Sequence, residues 1–441
     1  MALFSSVSLC MLVFFSFFFF TCFSSKHNKH HNVNDSFSLS FPLTLSINST
    51  TKTNPIVPSI SPYKYSMALV VTLPIGTPPQ LQQMVLDTGS QVSWIHCDNK
   101  KGPQKKQPPT TSSFDPSLSS SFFALPCNHP LCKPQVPDIS LPTDCDANRL
   151  CHYSFSYTDG TVVEGNLVRE NIALSPSLTT PPIILGCANQ SDDARGILGM
   201  NLGRLSFPNQ AKITKFSYFV PVKQTQPGSG SLYLGNNPNS SCFRYVKLLT
   251  FSKSQSQRMP NLDPLAFTLP MQGISIGGKK LNIPPSVFKP DTTGFGQTII
   301  DSGSEFSYMV DKAYNVIRNE LVKKVGSKIK KDYIYGGVAD ICFDGDATEI
   351  GRLVGDMVFE FEKGVEIVIP KERVLIEVDG GVHCFGIGRA EGLGGGGNII
   401  GNFYQQNLWV EFDLAKHRVG FRGANCSKSA KYSTRRVNGL M

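Results

Sequence analysis

The sequence predicts a globular, mixed or mainly β chain built from two similar halves, and three observations carry that prediction. The first is composition: 441 residues, 40% hydrophobic and 17% charged, enough apolar material for a sizeable core and too much for a disordered chain. The second is a repeat. Met84-Val85-Leu86-Asp87-Thr88-Gly89-Ser90 returns as Ile299-Ile300-Asp301-Ser302-Gly303-Ser304, each an apolar strand end followed by Asp, a small hydroxyl residue, Gly and Ser. The third is a companion element downstream of each copy. Gly196-Ile197-Leu198-Gly199 places Ile197 110 residues after Asp87, and Asn398-Ile399-Ile400-Gly401 places Ile399 98 residues after Asp301.

Length alone, at about 100–200 residues per domain, allows two or three domains or one large bilobal unit. The repeat selects the bilobal unit, with pseudo-twofold symmetry and the two Asp residues meeting at the interface. One such tetrapeptide arises by chance in about one chain of this length in a hundred at average composition; a pair with matching flanks is far rarer. Charge density and periodicity exclude a coiled coil, a collagen and a histone-like basic protein, although Lys and Arg exceed Asp and Glu by 42 − 33 = +9. Twelve cysteines without Cys-x-x-Cys pairs read as disulfides rather than zinc ribbons.

The N-terminus reads as a targeting segment. Leu9 to Phe20 is almost unbroken apolar sequence, shorter than the ~20 residues a membrane-spanning helix needs. Cys22 and Ser24 suit the small positions of a cleavage site, so residues 1–24 are expected to be a signal peptide. Its first residues lack Lys and Arg, which leaves an uncleaved anchor as the competing reading. Residues 25–63, rich in Ser, Thr, Asn, Pro and His, read as a flexible leader or propeptide. Its histidines, His27, His30 and His31, have no cysteine or acidic set beside them and are expected to be solvated rather than metal-bound. Loss of Cys10 and Cys22 leaves ten cysteines, an even number that fits an oxidising compartment. The expected location is extracellular, with vacuole and endoplasmic reticulum as alternatives.

Two carboxylates forced together cannot both ionise cheaply, so one proton is shared between them. The ionised member can take a proton from water while the protonated one polarises a peptide carbonyl. Gly89 and Gly303 allow tight turns beside the carboxylates. Their amides, with the Ser90 and Ser304 hydroxyls, are expected to orient the carboxylate oxygens.

From residue 66 to 426 the chain resembles the pepsin-type aspartic endopeptidases, and more closely their atypical, nepenthesin-like plant branch. The resemblance rests on Leu73-Pro74-Ile75-Gly76-Thr77-Pro78-Pro79-Gln80, the two Asp motifs, Trp94, and Tyr157-Thr158-Asp159-Gly160-Thr161. It extends through Gly199-Met200-Asn201-Leu202-Gly203-Arg204-Leu205-Ser206-Phe207 to Ile400-Gly401-Asn402-Phe403-Tyr404-Gln405-Gln406. It implies two β-barrel-like lobes, here 64–240 and 241–426, with the active site in the cleft between them and a basic tail at 427–441. It implies catalytic Asp87 and Asp301, a cross-lobe clamp of Thr88 and Ser302, and a hairpin flap of Tyr157, Asp159 and Gly160. Trp94 is the implied hydrogen-bond partner of the Tyr157 hydroxyl. The resemblance also implies the pairs Cys97–Cys187, Cys127–Cys151, Cys132–Cys145, Cys242–Cys426 and Cys342–Cys384, a connectivity that sequence alone leaves open. The chain departs from the family in one loop: Asp98 to Thr111 is Lys- and Pro-rich where a further close Cys pair is usual. Some relatives with this fold are inactive and act as inhibitors or wall-binding proteins; those have lost an Asp or the flap.

Other motifs compete on paper. Gly273-Ile274-Ser275-Ile276-Gly277 fits a serine-hydrolase elbow, which needs a helix immediately afterwards; Gly278-Lys279-Lys280 and Pro284-Pro285 read as a hairpin turn and loop instead. Gly392 to Gly397 fits Gly-x-Gly-x-x-Gly but precedes a strand-like segment. Lys323, Lys324, Lys328, Lys330 and Lys331 close an expected helix starting at Asp311, with Ala313, Ile317, Leu321 and Val325 on one face. Asn189, Asn239 and Asn425 begin glycosylation sequons. The expected partners are extended peptides bound by a monomer, with no nucleic acid, stable membrane insertion, cofactor or metal.

Overall fold

The computed structural model describes residues 38–47, 67–98, 113–133, 143–157, 160–191, 195–222, 230–378, 381–393 and 396–424. The expected signal peptide, Thr158, Asp159, Asn425, Cys426 and the basic tail lie outside them. The architecture is mainly β, as the sequence predicts.

One long sheet runs from the second half of the chain into the first. Its order is Arg244–Lys247, Arg418–Gly423, Leu408–Asp413, Lys215–Phe219, Gly230–Gly235, Ser38–Ile47, Met67–Ile75 and Gln80–Asp87, continuing through Gly196–Gly199 to the flap strands. The strand ending at Asp87 is therefore tied by backbone hydrogen bonds to strands that follow Asp301 in sequence.

The position of Ser38–Ile47 corrects the sequence reading. Within 25–63, read as a flexible leader or propeptide, residues 38–47 are not flexible: this strand lies between Gly230–Gly235 and Met67–Ile75, antiparallel to both. Leu43 pairs with Gly230 on one side and Val71 on the other and is fully buried. Leu39, Phe41 and Leu45 pack against the same core. The physical reason is plain in the residues: apolar side chains at 39, 41, 43 and 45 alternate with Ser40, Pro42 and Thr44, the period of a half-buried strand.

The two Asp copies sit in the same local topology. Gln80–Asp87 runs parallel to Gly196–Gly199 with Val85 opposite Ile197, and Thr298–Ile300 runs parallel to Asn398–Ile400 with Ile299 opposite Ile399. Trp94 then pairs antiparallel with Ile197, as Tyr308 does with Ile399. Even the supporting hydroxyls repeat: Ser93 accepts from the Gly199 amide at 3.0 Å and Ser307 from the Gly401 amide at 3.1 Å.

The expected helix is Asp311–Val325, and Ala313, Tyr314, Ile317, Leu321 and Val325 form its buried face. Lys279 pairs with Glu320 on that helix at 2.6 Å, and Lys328 and Lys330 pair with Glu349 and Asp344 at 3.0 and 2.8 Å. The serine-hydrolase reading of Ser275 fails on topology. Met271–Ile276 turns through Gly277 and Gly278 into Lys279–Lys280, placing Ser275 opposite Lys280 in a hairpin. The glycine run ends likewise in the strand Asn398–Ile400.

Four disulfides join described residues. Cys97–Cys187 and Cys342–Cys384 match the implied pairing. The other two are exchanged: Cys127 joins Cys145 and Cys132 joins Cys151, with Cα atoms 5.3 Å apart in each. The hairpin Thr143–Cys145/Cys151–Ser156 sets Cys145 and Cys151 opposite one another, so burial decides which partner each takes. Cys151 and Cys132 lie together in the small apolar cluster with Trp94 and Tyr153, whereas Cys145 is exposed. The implied partner of Cys242 lies outside the described residues.

Candidate active site

Both repeat aspartates end an apolar strand at a turn, which delivers their carboxyl groups to one place. Asp87 and Asp301 are 6% and 8% exposed. The Gly89 amide donates to Asp87 Oδ1 at 2.8 Å, and the Gly303 amide to Asp301 Oδ1 at 2.9 Å. The glycines also explain the close approach. A Cβ at Gly89 would stand 2.9 Å from the Asp301 carboxyl, so each glycine makes room for the opposite aspartate rather than only for its own turn.

The clamp expected of Thr88 and Ser302 is reciprocal. The Thr88 amide donates to Ser302 Oγ at 3.1 Å and the Ser302 amide to Thr88 Oγ1 at 2.9 Å. Ser302 Oγ donates onward to the Leu86 carbonyl at 2.7 Å. Both side chains are fully buried, where unsatisfied polar groups are costly, so the two turns hold each other in register.

Their serines differ. Ser304 Oγ donates to Asp301 Oδ2 at 2.6 Å. Ser90 instead donates its amide to Asp87 Oδ1 at 3.2 Å. Its hydroxyl comes near the same carboxyl but outside hydrogen-bond geometry, and is buried without a hydrogen-bond partner. The expected symmetry of the two hydroxyls is thus broken at Ser90.

Burial, then the charge of Asp301, pushes the Asp87 carboxyl up to about 7, with a hydrogen bond between the two side chains adding to the shift. Desolvation disfavours the ionised form and a neighbouring carboxylate disfavours it further. Asp87 therefore carries a proton well above the usual carboxylate range.

Cys151–Ser156 and Val162–Glu170 form an antiparallel hairpin, the one that the resemblance implies as the flap. The Tyr157 amide donates to the Thr161 carbonyl at 2.8 Å, and Gly160 takes the left-handed φ of 86° at the turn. Trp94 Nε1 donates to the Tyr157 hydroxyl at 2.8 Å, as expected.

Several supporting residues escaped the sequence reading. Asn402 Nδ2 donates to the Ser302 carbonyl at 2.9 Å, and Gln405 Nε2 to the Asp301 carbonyl at 3.1 Å. Tyr218 donates its hydroxyl to Gln405 Oε1 at 2.6 Å. Their signal was present in part: Asn402 and Gln405 lie within the run that closes the second half, but Tyr218 is distant in sequence and resembles an ordinary core aromatic. Asp263 stands near enough for the Asp301 charge to act on it; burial raises its carboxyl, the Leu265 and Ala266 amides oppose the rise, and the Asp301 charge adds a smaller push upward. Among the described residues no cluster of His, Cys, Asp and Glu has the arrangement of a metal site.

Family models described as "Xylanase inhibitor N-terminal" and "Xylanase inhibitor C-terminal" match residues 69–236 and 266–423. The aspartic proteinase PCS1 of Arabidopsis thaliana is 33% identical over 393 residues, covering 84% of each chain. Aspartic proteinase nepenthesin-1 of Nepenthes gracilis is 31% identical over 373 residues, covering 82% of this chain and 78% of that protein. Among solved structures, EDGP superposes with a TM-score of 0.62 at 18% identity, covering 89% of this chain and 96% of that one. Soybean Basic 7S globulin gives 0.59 at 16%, covering 87% and 96%. These last two likenesses show the fold. With two repeat aspartates on matching strand-to-turn corners and relatives at this identity over most of both chains, the chain belongs to the pepsin-like aspartic proteinases, in their nepenthesin-like plant branch.

Proposed function

We infer that this chain is a secreted aspartic endopeptidase, working in acid on extended peptides laid across a cleft between two lobes. The observation that carries the reading is the Asp87–Asp301 pair, buried, cross-clamped and close enough that burial and the neighbouring charge favour the protonated form of Asp87. In the reaction, a water between the carboxyls gives a proton to Asp301 while its oxygen bonds to the scissile carbonyl carbon. Asp87 gives its proton to the carbonyl oxygen. The resulting gem-diol returns a proton to Asp87, Asp301 passes its proton to the amide nitrogen, and the carbon–nitrogen bond breaks. No covalent enzyme intermediate forms. Tyr157, held by Trp94, closes the flap over the substrate and lowers the dielectric around the pair.

Supporting roles follow from the same sequence expectations. The chain enters the secretory route, is trimmed as a zymogen at a point before Ser38, which keeps the buried strand, and is glycosylated at Asn189 and Asn239. Both asparagines are exposed, and Asn189 stands at a register shift between Ala188 and Gln190 that interrupts its strand pairing.

The test is cleavage of a peptide library at acid pH by the purified chain, with Asp87→Asn and Asp301→Asn beside it. Cleavage by the wild type and loss in both variants is the expected result; unchanged turnover in either variant overturns the mechanism. The other reading is an inactive inhibitor or wall-binding protein, favoured by the inhibitor descriptions of the matching families. It is the outcome if the wild type cleaves nothing yet slows a xylanase or binds wall polymers.

A further inference from the structure

The two catalytic turns are held from beneath by different devices. In the first half the Met200 amide donates to the Asp87 carbonyl at 2.8 Å, and the next amide, Asn201, donates to the Ser90 carbonyl at 3.1 Å. In the second half the amide immediately after Gly401, that of Asn402, already donates to the Ser304 carbonyl at 2.7 Å. The second copy is one residue shorter at this point, and the backbone amide that would serve the Asp301 carbonyl is missing. Gln405 stands in for it. Its Nε2 donates to the Asp301 carbonyl at 3.1 Å and to the Ile400 carbonyl at 2.9 Å, while the Asp301 amide itself donates to that Ile400 carbonyl at 3.0 Å. The Asp301 backbone is thereby bracketed on both sides.

A side-chain amide does this only in one orientation. Flipped, Gln405 would turn its oxygen toward two carbonyl oxygens. The Tyr218 hydroxyl, 2.6 Å from Gln405 Oε1, selects the productive orientation because a phenol donates to an amide oxygen. Both residues are fully buried, and Tyr218 reaches this point from the strand Lys215–Phe219, which hydrogen-bonds Leu408–Asp413 on one side and Gly230–Gly235 on the other.

We propose that Tyr218 is a positioning residue for catalysis: through Gln405 it holds the Asp301 backbone, and hence the Asp301 carboxyl, at the place where a proton can be shared with Asp87. Burial first and the nearby Asp301 charge second push the Tyr218 hydroxyl well above its ordinary range, against the opposing pull of the Ser302 and Thr88 side chains, so it stays a donor throughout the pH range of interest. The role rests on the peptidase reading of the pair and is asymmetric, since the Asp87 carbonyl is held by the Met200 backbone amide rather than by a side chain.

The test compares the full-length wild type with Tyr218→Phe, Gln405→Met and the double variant, measuring kcat, KM, the pH profile of kcat/KM and thermal stability. Tyr218→Phe is expected to lower kcat by about 10-fold or more with KM changed less than about threefold. Its alkaline limb should move, because the Asp301 carboxyl no longer sits opposite Asp87 at a set distance. The double variant should be no slower than Gln405→Met, because Tyr218 acts through Gln405. Tyr218→Phe turnover within about twofold of wild type at every pH, or losses that multiply in the double variant, would overturn the proposal. So would a loss that vanishes on cooling in step with regained folding. If the wild type cleaves nothing, the peptidase reading falls separately, and carboxyl titration by NMR with 13C-labelled Asp still decides. The Tyr218→Phe chain must then shift the Asp87 titration, and an unchanged titration rejects the role.

Discussion

Gly303 lies so close to Asp87 that a Cβ built on it would stand 2.4 Å from Asp87 Oδ1. Gly89 stands in the reciprocal relation to Asp301. The glycines of the repeat thus set how near the two carboxyls come, and the distance between them sets the shared proton.

Gly303→Ala is accordingly expected to push the Asp87 carboxyl aside and lower kcat by about 100-fold or more, with a far smaller effect on folding. Fluorogenic peptide kinetics beside a melting curve separate the two effects. Near-wild-type kcat would mean that the pair tolerates a wider separation.

The pH dependence has a definite sign. The Asp87 carboxyl rises from an ordinary value of 3.8 to about 7 on folding, so the protonated form is the one the fold favours. Its contribution to stability is fully present below pH 3.8 and is lost as pH rises through about 7. The full shift sets an upper bound on the order of 4 kcal/mol. Peptidase activity should fall over the same upper range as the shared proton leaves. Asp87→Asn, permanently uncharged, should be inactive yet more stable than the wild type at neutral pH, and melting temperatures measured from acid to neutral pH check this.

Trp94→Phe removes the Nε1 donor 2.8 Å from the Tyr157 hydroxyl. A net hydrogen bond of this kind is worth about 1 kcal/mol, so kcat/KM should drop by about 5- to 10-fold. Tyr157→Phe should add little on top of it, and full additivity in the double variant would separate the two residues.

The two exchanged disulfides close loops of nearly equal size, with sequence separations of 18 and 19. Chain entropy therefore predicts similar losses of about 2–4 kcal/mol when either is removed. Cys132–Cys151 also packs in the Trp94–Tyr153 cluster, so Cys132→Ser/Cys151→Ser should melt lower than Cys127→Ser/Cys145→Ser. Peptide mapping of the non-reduced protein reads the connectivity directly.

The buried strand yields a fifth expectation. A chain beginning at residue 64 loses fully buried Leu43 and the packing of Leu39, Phe41 and Leu45, and leaves two strand edges open. With about 1.5–3 kcal/mol for each fully buried large apolar side chain, it should aggregate or melt far below a chain that retains Ser38–Ile47. A synthetic peptide of residues 37–48 should restore part of the loss in trans. Equal stability of the two chains would show that the strand is dispensable, as the sequence reading of a removable leader implied.

By itself the sequence determined the elements whose signal is local. The helix Asp311–Val325 followed from its apolar spacing, the Ser275 hairpin from its Gly-Gly turn, and the pair Asp87 and Asp301 from the repeat of short motifs. The strand Ser38–Ile47 was legible too, in the alternation of Leu39, Phe41, Leu43 and Leu45, but Ser- and Pro-rich surroundings masked it. Tertiary structure alone decided what depends on meetings between distant segments. It chose Cys132–Cys151 over Cys132–Cys145 because four cysteines crowd one hairpin and burial sorts them. It broke the symmetry of Ser90 and Ser304, and it brought Tyr218 to Gln405 across 187 positions. A residue's spacing pattern records the face it presents to its own strand or helix. The partner it meets there is set by how sheets stack and strands register, which no local window of sequence contains.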